Sequence, residues 1–395
     1  MNTAVRDQAH ILFLFSDTGG GHRSAAEAII EALHHEFGER ITTEMVDIFR
    51  EAAPRPLNHM PDWYPKMVLV PQAWGAGFHL SNGRGRYHII SAGAFPYVYK
   101  SIQRTLARHT CDLFVSVHPL ANLPFLWTMG KNRPPFVTVV TDLVSAHTSW
   151  FNRGVDLCIV PTEIARQHAL RNGLPPEKVR VIGLPVAQGF CQPQGDKKQA
   201  REKLGLPSET RLILLIGGGE GMGPIEEIAR AIDAAELWAG LVIITGRNQT
   251  LKQRLELNPW KRPTFVLGFV RNMPDYMLAA DILVSKAGPG TITEALNIGL
   301  PIILYSRLPG QESGNVEYVV GEGAGVWAPT PERILTALKR WLEHPELLGE
   351  ATRHARRLAR PQAARQIAHT LATILKINPS PIAPAASISQ APGEK

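Results

Sequence analysis

Four loops along the chain gather the residue types that nucleotide and sugar chemistry requires. Asp17-Thr18-Gly19-Gly20-Gly21-His22-Arg23 sets a histidine, able to exchange a proton near neutral pH, after three glycines that a ligand approaches closely. Gly217-Gly218-Gly219-Glu220-Gly221-Met222-Gly223-Pro224 offers bare backbone amides to a substrate or its diphosphate. Lys286-Ala287-Gly288-Pro289-Gly290-Thr291 opens a segment carrying Glu294, and a helix N-terminus there is a ready pyrophosphate site. Pro309-Gly310-Gln311-Glu312-x-x-Asn315 supplies amides and a carboxylate of the kind that recognises sugar hydroxyls.

Each loop also has a plainer reading. In the first, Ser24 stands where a dinucleotide-binding fingerprint needs its third glycine or alanine, and the loop alone equally describes a tight turn with a surface histidine. Ser24-x-x-Glu27 and Thr291-x-x-Glu294 both have capping-box spacing, so Glu294 either caps its helix or reaches two ribose hydroxyls. Taken alone, the fourth segment is a polar loop.

The elements that must position these loops form two series of short apolar runs alternating with helix-period segments. The first comprises ILFLFS at 11, EMVDIF at 44, DLFVSVH at 112, FVTVVTD at 136, DLCIVP at 156 and VRVIGLP at 179; the second comprises LILLIGG at 212, LVIITG at 241, FVLGFV at 265, DILVSK at 281 and PIILYS at 301. This pattern predicts parallel sheets covered by helices on both faces, hence an α/β chain of two doubly wound, Rossmann-like domains. The Pro- and Gly-containing stretch 185–205 places the boundary near 188, giving domains at 1–188 and 189–378. The tail 379–395, with four prolines and almost no large apolar residue, is expected to be disordered. In such domains the loop after the first strand lies at the crevice, which presents His22 to it.

Forty-two Lys plus Arg against 35 Asp plus Glu give a net charge of +7, favouring anionic surfaces or ligands without choosing among them. Cys111, Cys158 and Cys191 are too few and too scattered for a disulfide framework or a Cys-based zinc site, which fits a reducing cytoplasm. No segment has the length of a bilayer span or a signal h-region. The first motif begins at Asp17, leaving no room for an organelle transit peptide, so a bacterial protein is expected. An insert at 54–110 breaks the pattern. Residues 63–111 hold Trp63, Tyr64, Trp74, Phe78, Phe95 and Tyr97 with six cations (Lys66, Arg84, Arg86, Lys100, Arg104, Arg108) and no acidic side chain. Aromatics interleaved with cations suit a lipid interface; the alternative is aromatics packed on the domain beside merely solvated cations.

In order, these motifs resemble the monogalactosyldiacylglycerol synthase family, relatives of the diacylglycerol glucosyltransferases and of the N-acetylglucosaminyltransferase that forms lipid II. The resemblance spans about residues 11–375. It is carried by DTGGGHRSAAEAI at 17, SVHP at 116, VTDL at 140, PTE at 161, GLPV at 183, GGGEGMGP at 217, TGRN at 245, GFV at 268, KAGPGTITEAL at 286 and PGQESGNVEYVV at 309. It implies two domains facing across a cleft in the GT-B arrangement, with the acceptor in the first and the donor in the second.

By matching position, the resemblance implies that His22 is the catalytic base, Val270 a backbone partner of uracil, and Gly290 with Thr291 a cradle for diphosphate beside Gly288. It implies that Glu294 holds ribose, that Gln311 and Glu312 hold the hexose, and that Gly219, Glu220 and Gly221 lie beneath the donor. Gly20, Gly21, His118 and Asp142 edge the cleft, with structural support as the plainer role for the last two. The implied reaction is an inverting transfer of a hexose from a UDP-sugar to the sn-3 hydroxyl of diacylglycerol; GGGEGMGP favours UDP-galactose over UDP-glucose. No cofactor or metal is expected, since no Asp-x-Asp pair is apparent and the helix N-terminus can stabilise the leaving diphosphate. The expected setting is cytoplasmic, peripheral on the inner face of the cell membrane, with Trp63, Trp74, Arg84, Arg86, Lys100 and Arg104 meeting anionic lipid; no nucleic-acid partner is expected. A UDP-sugar epimerase, a non-catalytic UDP-sugar sensor and, less well, an NAD-dependent oxidoreductase are the rival classes.

Overall fold

Strands buried on both faces are apolar along most of their length, as in β1 (Ala9–Phe15), β3 (Leu113–Ser116), β4 (Phe136–Val139) and β5 (Leu157–Val160), whereas the edge strands β2 (Ile41–Asp47) and β6 (Val179–Val181) carry polar residues such as Thr42, Glu44 and Arg180. A computed structural model describes residues 7–378 apart from residue 69. The expected disordered tail, 379–395, lies outside the described residues. The six strands form one parallel sheet in the order β2-β1-β3-β4-β5-β6, with Ile11 opposite Leu113 and Leu12 opposite Phe114. The order reverses between β1 and β3, so the crevice opens beyond their carboxyl ends.

The second series becomes β7 (Arg211–Ile216), β8 (Ala239–Ile244), β9 (Thr264–Leu267), β10 (Ile282–Lys286) and β11 (Ile302–Ser306), joined by β12 (Gly325–Trp327), for which the sequence shows no apolar run. These strands are again parallel, in the order β12-β11-β10-β7-β8-β9, and the reversal falls between β7 and β10. Both glycine-rich loops expected to hold a donor, 217–224 and 286–291, therefore leave strands flanking one switch point.

The helix after the first loop, α1 (Gly21–Phe37), starts earlier than the expected capping box. Gly20 is its N-cap at φ 78°, a conformation that glycine adopts freely, so the chain turns into the helix before Ser24, and neither Ser24 nor Glu27 caps it. The insert folds as three helices, α2 (Met60–Met67), α3 (Pro71–Ser81) and α4 (Arg84–Arg108).

One domain limit differs from the expectation. The last described helix, Ala363–Leu375, does not belong to the second domain: Ile367, Ala368, Leu371 and Leu375 join a core with Ile29, Leu33 and Phe37 of α1 and with Phe13 of β1. A residue spacing of three to four shows that the helix has an apolar face but not which domain covers it. The helix Lys197–Leu204, by contrast, is tied to the second domain, where buried Asp281 accepts from Arg201 at 2.6 Å, Lys197 at 2.7 Å and the Leu212 amide at 2.8 Å.

Candidate functional site

The loop after β1 is held from below by carboxylates. Asp47, at the end of β2, accepts from the Asp17 amide at 3.0 Å, and Asp17 receives Arg23 through Nε at 2.5 Å and Nη2 at 2.7 Å. Gly19 and Gly20 have φ of 82° and 78°, and a Cβ on Gly19 would stand 3.0 Å from the Tyr64 ring. His22 follows in the first turn of α1. Its Nδ1 lies 2.8 Å from the Val117 carbonyl, just past β3, and 2.9 Å from Thr141 Oγ1, just past β4. A carbonyl only accepts, so Nδ1 carries the proton and Nε2 keeps its lone pair. Nε2 has no hydrogen-bond partner among the described residues. Burial pushes the imidazole down to about 4, opposed in part by the Val117 bond, so His22 is neutral throughout the physiological range.

His118 packs against His22 with ring centroids 4.5 Å apart. Its Nδ1 accepts from the Leu120 amide at 3.3 Å, capping the helix Pro119–Met129, and Nε2 faces Thr18 Oγ1 at 3.3 Å. Both nitrogens are thus used within the protein, and burial holds the ring well below its ordinary value. Asp142 is also buried. It accepts from Trp150 Nε1 at 2.6 Å and, across the domain seam, from Gln311 Nε2 at 3.0 Å. Burial raises its carboxyl to about 6 against the pull of these two donors.

In the second domain, Gly218, Gly221 and Gly223 take positive φ, and a Cβ on Gly221 would clash with the Thr245 carbonyl at 2.1 Å. Tyr305 Oη stands 3.1 Å from the Ile216 carbonyl and 3.0 Å from that of Met222, pinning the loop. Glu220 pairs with Arg247 at 2.7 Å. The helix Pro289–Ile298 begins one residue after Gly288, without a side-chain cap. Glu294 is therefore not a capping residue, because Pro289 already occupies the first turn and Glu294 falls in the helix interior. Its carboxylate has no hydrogen-bond partner among the described residues, and burial pushes it up to about 7. The amides of Gly290 and Thr291 likewise have no backbone partner, and a Cβ on Gly290 would meet only open space.

Glu312 is almost fully buried and already engaged, accepting from Lys286 Nζ at 2.7 Å and from the Leu308 amide at 2.8 Å. Lys286 stood in the quoted motif without a role, and only the structure shows it beneath Gly288 and Gly218. Gln311 Oε1 and Asn315 Oδ1 are buried without partners. Val270 packs on the second core, beside an exposed Phe269 that carries the Arg247 guanidinium 4.9 Å above its ring. Sequence reasoning named neither Phe269 nor Arg247 as a site residue, although both lie in motifs it quoted.

The insert divides by direction. Trp74 packs edge-on against Tyr64 at 5.6 Å and Phe95 against Trp127 at 5.1 Å, while Phe78 and Gly75 press on Gly310 and Pro309 of the second domain. Arg84, Arg86, Lys100 and Arg104 are exposed, as are Trp63, Met67, Leu80, Ile89 and Ile90, with Leu80 at 70% and Ile89 at 72%. The inward aromatics follow the plainer reading of the insert, and the exposed apolar face is largely aliphatic.

Among the described residues no group of three or more His, Cys, Asp or Glu side chains is arranged to hold a metal ion, and no helix is long and apolar enough to cross a membrane. The family model for monogalactosyldiacylglycerol (MGDG) synthase matches residues 22–186, and that for the glycosyltransferase family 28 C-terminal domain matches 212–368. The probable monogalactosyldiacylglycerol synthase 2, chloroplastic, of Oryza sativa subsp. japonica is 40% identical over 372 residues, covering 91% of this chain and 79% of the relative. The chain belongs to the monogalactosyldiacylglycerol synthase family. Another member, monogalactosyldiacylglycerol synthase 2, chloroplastic, of Arabidopsis thaliana, is 38% identical over the same shares of the two chains. These relatives are plant chloroplast proteins and lend no support to the expected bacterial source.

Among solved structures, MurG of Acinetobacter baumannii superposes with a TM-score of 0.63 at 17% identity, over 92% of this chain and 99% of that one. Anabaena HepE in complex with UDP-glucose gives 0.55 at 15%, over 93% and 100%. These likenesses, with the two facing parallel sheets, establish the GT-B arrangement for this member of the synthase family.

Proposed function

We propose that this chain transfers galactose from UDP-galactose to the sn-3 hydroxyl of 1,2-diacylglycerol, giving β-monogalactosyldiacylglycerol with inversion at C1. The observation that carries the reading is the state of His22: Nδ1–H is fixed on the Val117 carbonyl, and Nε2 is left as an unpartnered base at the crevice. The names of the family relatives support the choice of sugar and acceptor.

In this mechanism the acceptor oxygen attacks C1 from the face opposite UDP while its proton passes to His22 Nε2. The C1–O bond breaks with its electron pair on the β-phosphate oxygen. The Val117 carbonyl then stabilises the imidazolium, offsetting part of the burial that disfavours it. The free amides of Gly290 and Thr291 receive the diphosphate charge at the helix N-terminus, so the step needs no metal or cofactor. Glu294 takes the ribose hydroxyls, Val270 the uracil edge, and Gln311 the hexose. Glu312 reaches the hexose only while also holding Lys286, whose ammonium lies between the two glycine loops and adds positive charge at the diphosphate site.

Diacylglycerol stays in its bilayer, so the enzyme must work from the membrane surface. Leu80, Ile89, Ile90 and Trp63 offer apolar contact there, and Arg84, Arg86, Lys100 and Arg104 attract anionic headgroups; Trp74, turned inward, has no part in this. The deciding experiment is a mass-resolved product assay with dioleoylglycerol and UDP-galactose or UDP-glucose. Hexosyl-diacylglycerol formed from UDP-galactose is the expected product. Conversion of the donor without acceptor would instead identify an epimerase, and binding without turnover a sensor.

A further inference from the structure

We propose that Asp142 is a positioning residue that sets the orientation of the Gln311 side-chain amide, making sugar recognition in the second domain depend on contact with the first. This rests on the reading of Gln311 as a hexose-binding residue.

An ionised carboxylate only accepts, so Asp142 Oδ1, 3.0 Å from Gln311, faces the amide nitrogen and forces the amide oxygen to the other side. Gln311 Oε1 is buried there with no partner, an arrangement that is costly unless a ligand donor fills it. A sugar hydroxyl is such a donor. Asp142 thereby decides that Gln311 presents an acceptor to the donor sugar.

Asp142 is itself held. Its second oxygen takes Trp150 Nε1 at 2.6 Å, and Trp150 is completely buried. The preceding residue, Thr141, contacts His22 Nδ1 at 2.9 Å. Two consecutive residues beyond β4 thus fix the base on one side and the sugar-facing amide on the other. A second contact crosses the same seam, where Ser145 Oγ accepts from the Gly314 amide at 2.9 Å, and no side chain larger than hydrogen fits at Gly314. With the domains apart, Gln311 loses its orienting acceptor and is free to turn either end toward the sugar.

The test is a double-mutant cycle on the full chain with UDP-galactose, UDP-glucose and dioleoylglycerol in vesicles, with UDP binding by calorimetry as the reference. Asp142→Asn should raise the KM for UDP-galactose by about 10-fold or more, the scale of a lost charge-assisted bond, and narrow the preference between the two donors while leaving UDP affinity unchanged. In a Gln311→Ala background, Asp142→Asn should add less than about twofold, since a residue acting through another has nothing left to position. Gln311→Glu alone places two carboxylates face to face and should be severely impaired. Adding Asp142→Asn restores one donor and one acceptor across the seam, and should recover at least about tenfold of that loss. Independent, additive effects, or a double variant no better than Gln311→Glu, would overturn the inference while leaving the sugar-binding role of Gln311 intact. If Gln311→Ala alone changes neither donor KM nor selectivity, the reading of Gln311 fails, and the inference with it.

Discussion

Glu294→Gln should make the unliganded protein more stable and poorer at binding UDP. Burial moves the carboxyl from its ordinary 4.5 to about 7, and no cation or hydrogen-bond donor offsets that cost. At about 1.4 kcal/mol per pH unit, the gap sets a ceiling of about 3 kcal/mol, and since the side chain is only half-buried, solvent screening leaves roughly 1–2 kcal/mol. The sign follows from linkage. Below 4.5 both folded and unfolded chains are protonated and the group costs nothing; between 4.5 and about 7 only the unfolded chain ionises, so stability is lost across that window and the loss is complete above it. The variant should therefore melt a few degrees above wild type at pH 8 and level with it below pH 4.5. Calorimetry at pH 8 should show UDP affinity lower by about tenfold or more, because the ribose hydroxyls lose a charged acceptor worth about 1.5–3 kcal/mol. A lower melting temperature with unchanged UDP affinity would refute the reasoning.

His22→Ala should lower turnover by about 100-fold or more with UDP affinity intact, and a near-normal rate would remove His22 from the role of base. At saturating donor, the acid limb of activity should fall near pH 4, the value to which burial pushes His22; a limb near 6.5 would show that the imidazole is solvated. Replacing Arg84, Arg86, Lys100 and Arg104 together by Gln should abolish sedimentation with phosphatidylglycerol liposomes and spare UDP binding, each cation being worth about 1 kcal/mol near an anionic surface. Equal sedimentation by wild type and the quadruple variant would make the insert ordinary solvated surface. Activity after dialysis against EDTA should equal that before it, and restoration of a lost rate by added Mg2+ would contradict the proposed metal-free departure of UDP.

Apolar runs long enough to be buried on both faces revealed most strands directly, because a parallel sheet leaves no polar face to disguise them. Gly325–Trp327 escaped because three residues with a glycine make no run. Ser24 misled because capping-box spacing recurs within first turns, whereas the true start was set by the φ of Gly20; the same spacing at Thr291 left two readings of Glu294 open, and Pro289, by starting the helix earlier, removes the capping one. The site glycines and His22 were legible from local chemistry. The Asp142–Gln311 contact was not, since it joins residues 169 apart in the chain and no local pattern encodes such a meeting. The insert's composition announced a special surface, yet Trp74, Phe78 and Phe95 turned inward while Trp63, Tyr97, Ile89 and Ile90 faced out.

The return of the helix Ala363–Leu375 to the first domain bears on the order in which the molecule is completed during synthesis. Phe37, Leu33 and Ile29 leave the ribosome before the second domain is made, but the residues that cover them, Ile367, Leu371 and Leu375, follow it. Nascent chains ordinarily finish their amino-terminal domain first. Here that domain waits, with an apolar strip of α1 uncovered, until the whole second domain has been made. The second domain can close its own core in the meantime, so of the two units the one translated earlier is the later to become watertight.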